Sequence, residues 1–391
     1  MISREDIMKK IGGYSDNGNV RIEVSAFNGG NDSVCEYHMM LHSTLGGELF
    51  EVQLESILAA YRNILSDGLS GVSPVIMRFF VSDSANQSDI LYSRIKGLPG
   101  CAVSVVEQAP LDGTKVALWV YLQSEVSIKE TAGGLYKVSH GNYTHYWSGS
   151  SHYNTGDSEM QTRNLLEGYI RQLTEEGCNL ADNCIRTWFF VQNVDVNYGG
   201  VVKARNEIFA KQNLVPETHY ISSTGINGRH ADHKVSVLMD TYAVKGLKPE
   251  QIRFLYASSH LNPPYEYGVS FERGTYVDYG DRRQVFISGT ASINNKGEVM
   301  YVGNIVNQTE RMLENVQCLL EEAECGFNDV RQMIVYLRDV ADYNVVHRMY
   351  EERFPDIPKV IVYAPVCRPG WLIEMECIAV RQNTDNNFAR F

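Results

Sequence analysis

The chain has 391 residues, of which 44% are hydrophobic and 21% charged. That is enough to bury two or three cores of ordinary size, and it excludes a disordered chain and a small disulfide-stapled scaffold. The formal net charge of −12 repels phosphate backbones and gives no support for nucleic-acid binding.

The sequence also lacks the patterns of membrane, secreted and metal-binding proteins. No apolar run reaches the roughly 18 residues of a membrane span, and residues 1–19 contain no apolar leader-like stretch. Eight cysteines are scattered without CxxC pairs or zinc-finger spacing. We therefore expect a cytoplasmic protein with reduced cysteines, no membrane partner and no metal site.

One order of predicted elements occurs three times along the chain. In the first copy an amphipathic stretch starts at Gln53, and a strand follows that ends near Asp83. The same pattern returns at Gln161 and at Gln308, and in these two copies a further helical stretch follows the strand. Each copy closes on a strand rich in β-branched and apolar residues: KVALWVYLQ, KVSVLMDTYAV and WLIEMECIAV.

This repeat predicts an α+β fold of three tandem units, each a mixed sheet with helices on one face. We expect the units to span residues 1–125, 126–250 and 251–391. The segments between the copies contain no long Pro/Ser/Gly tract, so the repeat favours units packed against one another over independent beads.

The third copy resembles a known superfamily. VFISGTASI, the stretch from there to DVADY, and LIEMECIAV are similar to the YjgF/Rid superfamily, also called the endoribonuclease L-PSP family. Its members are homotrimers of a chorismate-mutase-like unit, so the resemblance implies a pseudo-trimer within one chain. We expect that pseudo-trimer to be a monomer or a weak higher oligomer.

A narrower resemblance covers about the last two-thirds of the chain. STGINGRH, YGVSFERG, ISGTASI and CRPGWLIEMEC are similar to the chorismatases, single-chain relatives that hydrolyse chorismate to pyruvate and a ring product. After SGTASI this chain reads NNKGEVMY, which departs from chorismatases and leaves a divergent substrate open. Deaminating members of the superfamily carry an arginine on the strand before the last one, whereas this chain has Ile361 near that position and Ser223 in the second copy.

The last strand carries the candidate acid. Hydrolysis of an enolpyruvyl ether starts with protonation of its terminal methylene carbon, which suits a carboxyl group that stays protonated at neutral pH. Glu374 and Glu376 lie two residues apart and therefore point to one face of the strand, where an apolar setting raises a carboxyl pKa. The resemblance favours Glu374, seven residues after Cys367. The alternative is that both glutamates line a solvated pore or pair with arginines around the pseudo-threefold axis.

Cys367 is expected in the turn before this strand. A thiol beside Arg368 could have a depressed pKa and act as a nucleophile or proton carrier. The resemblance implies that a cysteine at this place directs the reaction towards a hydroxybenzoate. The alternative is a small buried side chain.

The remaining candidates would bind the substrate. Arginine pairs with carboxylates in a planar, bidentate way, small residues let the backbone and hydroxyls approach a ligand closely, and tyrosines can bond a ring hydroxyl. The candidates are Arg205, Arg273 and Arg368; Thr224, Gly225, Ser288, Gly289 and Thr290; and Tyr198 and Tyr267. Each arginine could instead belong to a surface salt bridge.

The sequence thus predicts a chorismatase-like hydrolase that releases pyruvate from a small anionic carboxylate without a cofactor. A Rid-type deaminase of enamines or imines and a non-catalytic protein that binds small metabolites are the alternatives on the same fold. We expect the first unit to be mainly scaffold, since its closing strand contains no acidic residue.

Overall fold

The first sheet comes from the first copy of the repeat. The computed structural model describes residues 18–30, 33–384 and 387–391. The prediction that residues 1–19 contain no leader-like stretch therefore falls mostly outside the described residues. The strands are β1 (Val20–Asn28), β2 (Cys35–Ser43), β3 (Val72–Val81), β4 (Ala102–Glu107) and β5 (Val116–Ser124), in the order β1-β2-β5-β3-β4. Helices α1 (Phe50–Asn63), extended by a π-helical turn over Ile64–Gly68, and α2 (Ser84–Ile95) connect them.

The second copy forms a six-stranded sheet. Its strands are β6 (Ser127–Glu130), β7 (Tyr136–His140), β8 (Tyr143–His152), β9 (Cys184–Val191), β10 (Ser222–Asn227) and β11 (Val237–Lys245), in the order β10-β9-β11-β8-β7-β6. Its helices are α3 (Ser158–Glu175), the single turn α4 (Leu180–Asn183) and α5 (Val194–Lys211).

The third copy forms another six-stranded sheet. Its strands are β12 (Ile252–Leu255), β13 (Gly274–Asp278), β14 (Arg282–Ala291), β15 (Val330–Leu337), β16 (Lys359–Tyr363) and β17 (Ile373–Gln382), in the order β12-β13-β14-β17-β15-β16. Its helices are α6 (Ile305–Glu322) and α7 (Tyr343–Arg353), with 3-10 turns at Pro249–Gln251, Pro264–Tyr267, Phe327–Asp329 and Val340–Asp342.

The closing strands β5, β11 and β17 are buried at nearly every position. Helices cover one face of each sheet, and the other units cover the opposite face, so neither face of these strands is exposed to solvent. This explains why these strands read as continuous apolar runs instead of alternating patterns. The predicted α+β architecture of three tandem units packed together as a pseudo-trimer is confirmed.

Two features of the predicted order are wrong. The first unit also has a second helix, α2, and each unit has an additional edge strand before its closing strand, namely β4, β10 and β16. These edge strands are short and pair in parallel with an inner strand of their own sheet. The strands of the three sheets lie within 20–124, 127–245 and 252–382; the exact unit limits stay a prediction.

The edge strands connect the units in a ring. β4 contacts β8 of the second unit, and β10 contacts β14 of the third. The region of β16 returns to the first unit, because Tyr363 N–H donates to the Ala109 carbonyl at 2.8 Å. At the junction of all three units, Arg78 of β3 donates to Asp240 of β11 at 2.8 Å and lies 3.7 Å from Glu376 of β17. Within the described ranges, no helix is long and apolar enough to cross a bilayer.

Candidate functional site

A cavity of about 260 Å³ lies between the second and third units. The second unit contributes residues of α5 and β10, and the third contributes β14, β17 and the segment between β12 and β13. Nine of the predicted site residues line it: Tyr198, Arg205, Gly225, Tyr267, Arg273, Gly289, Cys367, Arg368 and Glu374. The structure therefore brings together residues that are up to 176 positions apart in the sequence.

Glu374 is the carboxyl group of this cavity. Its side chain is buried, and no hydrogen-bond donor among the described residues reaches it. Burial is the main cause that raises its pKa to about 8, and repulsion by Glu376 adds to it, while Arg273 and Arg186 act in the opposite direction. The carboxyl is therefore protonated at neutral pH, as a general acid requires.

Gly289 makes the room that Glu374 occupies. A Cβ on this residue of β14 would lie 2.9 Å from the carboxyl carbon of Glu374 and 3.1 Å from Cγ2 of Thr224. A glycine inside a strand weakens the strand, so its presence here indicates that the site needs the space. Gly225 acts in the same way for Tyr198, since a Cβ there would come 2.7 Å from the tyrosine ring.

Glu376 has the opposite environment. It accepts hydrogen bonds from Trp188 Nε1 at 2.8 Å, Arg186 Nη2 at 2.8 Å and Thr224 Oγ1 at 2.5 Å, all of them in the second unit. The Arg78 guanidinium adds a charge from the first unit. The two glutamates thus follow different interpretations from the sequence analysis. Glu374 faces a cleft, and Glu376 pairs with arginines at the junction of the units.

The expected depression of the Cys367 pKa is wrong. Burial and the neighbouring Glu374 raise the pKa of this thiol to about 12, and Arg368 and Tyr198 offset only part of that effect. A thiol with this pKa is not a nucleophile at neutral pH. Cys367 does lie in the turn before β17 and lines the cavity, so its position supports a role in shaping the pocket.

Arg205 presents an unpaired edge to the cavity. The residue is 1% exposed, and no group in the described part of the chain accepts a hydrogen bond from its Nε or Nη2. These two nitrogens form the side-on edge that matches the two oxygens of a carboxylate. A buried cation without a partner is costly, so this edge indicates a binding site for an anion.

The other two arginines enclose Tyr267. The Arg273 guanidinium lies 5.5 Å from the ring centroid and Arg368 lies 4.7 Å from it. Arg273 is buried and donates to the Asn262 carbonyl at 2.9 Å, whereas Arg368 is half-buried and also lies over Trp371. The cavity thus combines three cations with flat aromatic walls.

Three predicted residues do not line the cavity. The Thr224 hydroxyl donates to Glu376, Ser288 donates to the Glu272 carbonyl at 2.6 Å, and Thr290 donates to the Ser288 carbonyl at 2.9 Å. These hydroxyls therefore bond protein groups at the edge of the cavity, and a role for them in ligand binding stays a prediction.

Equivalent positions in the other closing strands lack the acid. Counted from the first residue of each strand, Glu374 of β17 corresponds to Ala117 of β5 and Leu238 of β11. The same register places Lys359 of β16, rather than Ile361, at the position that Ser223 has in β10. The comparison of Ile361 with Ser223 is therefore wrong by two residues. β10, which lines the cavity, contains no arginine.

Sequence reasoning missed several contributors. Trp371, Phe271 and Val202 line the cavity, and Arg186 donates to Thr224 and Glu376 without lining it. Trp371 lies inside the motif CRPGWLIEMEC, so its closeness to Cys367 in the sequence could have identified it. No sequence pattern around Arg186 indicates that it contacts the last strand. Among the described residues, no group of three His, Cys, Asp or Glu side chains is arranged to hold a metal ion.

Comparisons with known proteins agree with this architecture. The endoribonuclease L-PSP family model matches residues 271–381. A RutC family protein of Pyrococcus abyssi is 35% identical over 100 residues, which are 25% of this chain and 79% of that protein. The 3-aminoacrylate deaminase RutC of Acinetobacter baylyi is 31% identical over 97 residues, 24% of this chain and 77% of that protein.

The fold similarity extends beyond the third unit. The crystal structure of a chorismatase superposes with a TM-score of 0.63 over 78% of this chain and 93% of that chain, at 17% sequence identity. At this identity the likeness concerns the fold alone, and at 78% of the chain it extends well beyond one unit. Together with the RutC relatives, these findings show that the chain belongs to the YjgF/Rid superfamily.

Proposed function

We propose that the cavity between the second and third units hydrolyses the enolpyruvyl ether of chorismate, or of a closely related cyclic dicarboxylate, and releases pyruvate. One observation carries this proposal: a buried carboxyl with a pKa of about 8, Glu374, faces the same cavity as the unpaired edge of buried Arg205. The first is a proton donor at neutral pH, and the second is a carboxylate anchor.

In the proposed reaction Glu374 donates its proton to the terminal methylene carbon of the enolpyruvyl group. The double bond supplies the electron pair for the new C–H bond, and the ether carbon becomes oxocarbenium-like. Water adds to that carbon, and the resulting hemiketal breaks its bond to the ring oxygen, which leaves pyruvate and a ring diol. If the ring instead loses a water molecule, a hydroxybenzoate forms, and the family resemblance assigns that choice to Cys367.

The rest of the cavity suits such a substrate. Arg205 anchors one carboxylate, and Arg273 and Arg368 supply positive charge for the second. Tyr198, Tyr267 and other aromatic side chains offer flat surfaces for a six-membered ring. The fold shared with a chorismatase supports the same assignment.

The test is to incubate the purified protein with chorismate and to follow pyruvate with a coupled lactate dehydrogenase assay, for wild type, Glu374→Gln and Glu310→Gln. Glu310 is exposed on α6 and serves as the matched control. We expect pyruvate from wild type and the control, and at least about a hundredfold lower rate from Glu374→Gln with substrate binding retained. Absence of pyruvate above the spontaneous background with wild type would rule the proposal out.

The relatives of the third unit support a second candidate. One of them is named as a 3-aminoacrylate deaminase, so deamination of a small enamine or imine in the same cavity is the competing proposal. Ammonia release from 3-aminoacrylate, without pyruvate release from chorismate, would favour it. Ligand binding without either product would favour a metabolite-binding protein.

A further inference from the structure

Arg338 connects two walls of the cavity without lining it. It follows β15 directly, and its Nη2 donates to both carboxylate oxygens of Asp195, at 2.6 and 2.5 Å. Its Nη1 donates to the Val366 carbonyl at 2.6 Å, and its own backbone N–H donates to the Leu372 carbonyl at 3.0 Å. One residue therefore contacts α5 of the second unit and both ends of the turn that precedes β17.

Each of these segments delivers a functional side chain. Asp195 lies in the first turn of α5, the helix of the second unit that carries Tyr198 and Arg205. Val366 directly precedes Cys367, and Leu372 lies two residues before Glu374. The guanidinium thus joins the helix with the carboxylate anchor to the turn and strand that hold the thiol and the acid.

We propose that Arg338 is a positioning residue, which holds α5 of the second unit against the Val366–Leu372 turn of the third and so sets the alignment of Arg205 and Tyr198 relative to Glu374. The part of this proposal that concerns turnover rests on the proposed function. The part that concerns alignment does not, because it is measured on the cavity itself.

The exposure of the pair separates positioning from general stability. Asp195 is 44% exposed and Arg338 is 17% exposed, and ion pairs in such places contribute little to the free energy of unfolding. Alignment of reacting groups is far more sensitive, since a displacement of about 1 Å can cost about a hundredfold in rate. Loss of the contact should therefore affect the cavity much more than the stability of the chain.

A matched control exists in the same unit. Arg353 Nη2 donates to both carboxylate oxygens of Glu310, at 2.5 and 2.6 Å. This pair has the same bidentate geometry, and neither residue lines the cavity. Arg353→Met thus removes an equivalent ion pair at a place where the proposal assigns no role.

The experiment compares wild type, Arg338→Met, Arg338→Lys, Asp195→Asn and Arg353→Met. The first readout is iodoacetamide alkylation, resolved by peptide mass spectrometry, of half-buried Cys367 against buried Cys184 and Cys377. We expect Arg338→Met to raise the alkylation rate of Cys367 about tenfold while the two buried thiols stay protected. Arg338 uses separate nitrogens for Asp195 and for the Val366 carbonyl, whereas lysine has a single ammonium nitrogen, so Arg338→Lys should lie between wild type and Arg338→Met.

The second readout is the kcat and KM of pyruvate release. We expect kcat/KM to fall at least about tenfold in Arg338→Met and Asp195→Asn, with Arg353→Met unchanged. Unchanged alkylation of Cys367 in Arg338→Met would overturn the proposal, as would an equal rise at all three cysteines. If wild type releases no pyruvate, the proposed function fails, and the alkylation readout still decides the positioning role.

Discussion

Glu374 and Glu376 are separated by one residue on β17, and the difference between their surroundings defines the site. Three donors from the second unit satisfy Glu376, whereas Glu374 extends into the space above Gly289 with no donor among the described residues. A satisfied carboxylate beside an unsatisfied one pushes the proton onto the latter. The network around Glu376 is thus part of what makes Glu374 an acid.

The pH dependence of the rate follows from this environment. The pKa of Glu374 is raised from 4.5 to about 8, and only the protonated form can donate. We expect the kcat of pyruvate release to be constant below about pH 7 and to fall tenfold per pH unit well above 8. A profile with no fall between pH 7 and 9.5 would exclude Glu374 as the acid of the rate-limiting step.

The same group makes stability depend on pH. Because the pKa is higher in the folded state than in the unfolded one, the stabilisation by protonated Glu374 is complete below about pH 4.5 and is lost as the pH rises to 8. We expect the free energy of unfolding of wild type to fall, relative to that of Glu374→Gln, by at most about 1.4 kcal/mol per pH unit across this window. Urea denaturation of both proteins between pH 5 and 9 measures this difference. If the free energies of unfolding of the two proteins changed with pH in parallel, the raised pKa of Glu374 would be contradicted.

Gly289 offers a steric test of the acid's position. In Gly289→Ala the new Cβ would lie 2.9 Å from the Glu374 carboxyl carbon and would force that group to move. We expect kcat to fall about a hundredfold and stability to fall by about 1–3 kcal/mol. Gly47→Ala is the control, because its Cβ would meet no atom within 4 Å. Full activity in Gly289→Ala would show that proton transfer does not need this placement of the carboxyl.

At the residue scale, the sequence predicts many of the residues that line the cavity, but it does not predict the hydrogen-bond partners of each one. The two-residue period of β17 and the motif resemblance were sufficient to select Glu374. The partners of Glu376 are 152 to 190 positions away in another unit, so no local pattern could separate the two glutamates. The same long sequence separation explains the outcome for Thr224. The sequence predicts that its hydroxyl binds a ligand, whereas in the structure this hydroxyl donates to Glu376.

At the scale of elements, α5 carries the anion anchor and also forms the contact between the units. The sequence predicts a further helical stretch at this place, and the structure begins the helix at Val194, five residues before two glycines, 199 and 200, that weaken the helical signal. The edge strands escaped prediction for a related reason. β10, with the sequence SSTGIN, has neither alternation nor a β-branched run, and pairing with β9 is what makes it a strand.

The two glycines of α5 should respond in opposite ways to alanine. A Cβ on Gly199 would meet no atom within 4 Å, whereas one on Gly200 would lie 2.8 Å from the backbone nitrogen of Glu159 in α3. We expect Gly199→Ala to stabilise the protein by about 0.5–1 kcal/mol and Gly200→Ala to destabilise it by about 1–3 kcal/mol. Urea denaturation measures both. Equal effects would contradict the close packing of α3 on α5.

At the scale of the whole molecule, charged side chains from all three units meet where no single unit could satisfy them. Arg78 of the first unit is fully buried, donates to Asp240 of the second through both Nε and Nη2, and lies close to Glu376 of the third. Each unit alone would expose or leave unpaired one member of this cluster. The repeat in the sequence predicts three units, but the units complete one another only in the assembled ring.

This dependence predicts a single cooperative unfolding transition. Asp240→Asn leaves the buried guanidinium of Arg78 without its main partner, so we expect a loss of about 3–5 kcal/mol of stability. Lys203→Met is the control, since the Lys203–Glu159 pair is exposed and should contribute less than about 1 kcal/mol. Urea transitions followed by far-UV circular dichroism and by tryptophan fluorescence should coincide in wild type and shift together in Asp240→Asn, because Trp119 and Trp188 lie beside Arg78. Two separate transitions in wild type would mean that the units fold independently, and that the cavity between the second and third units can form without the first.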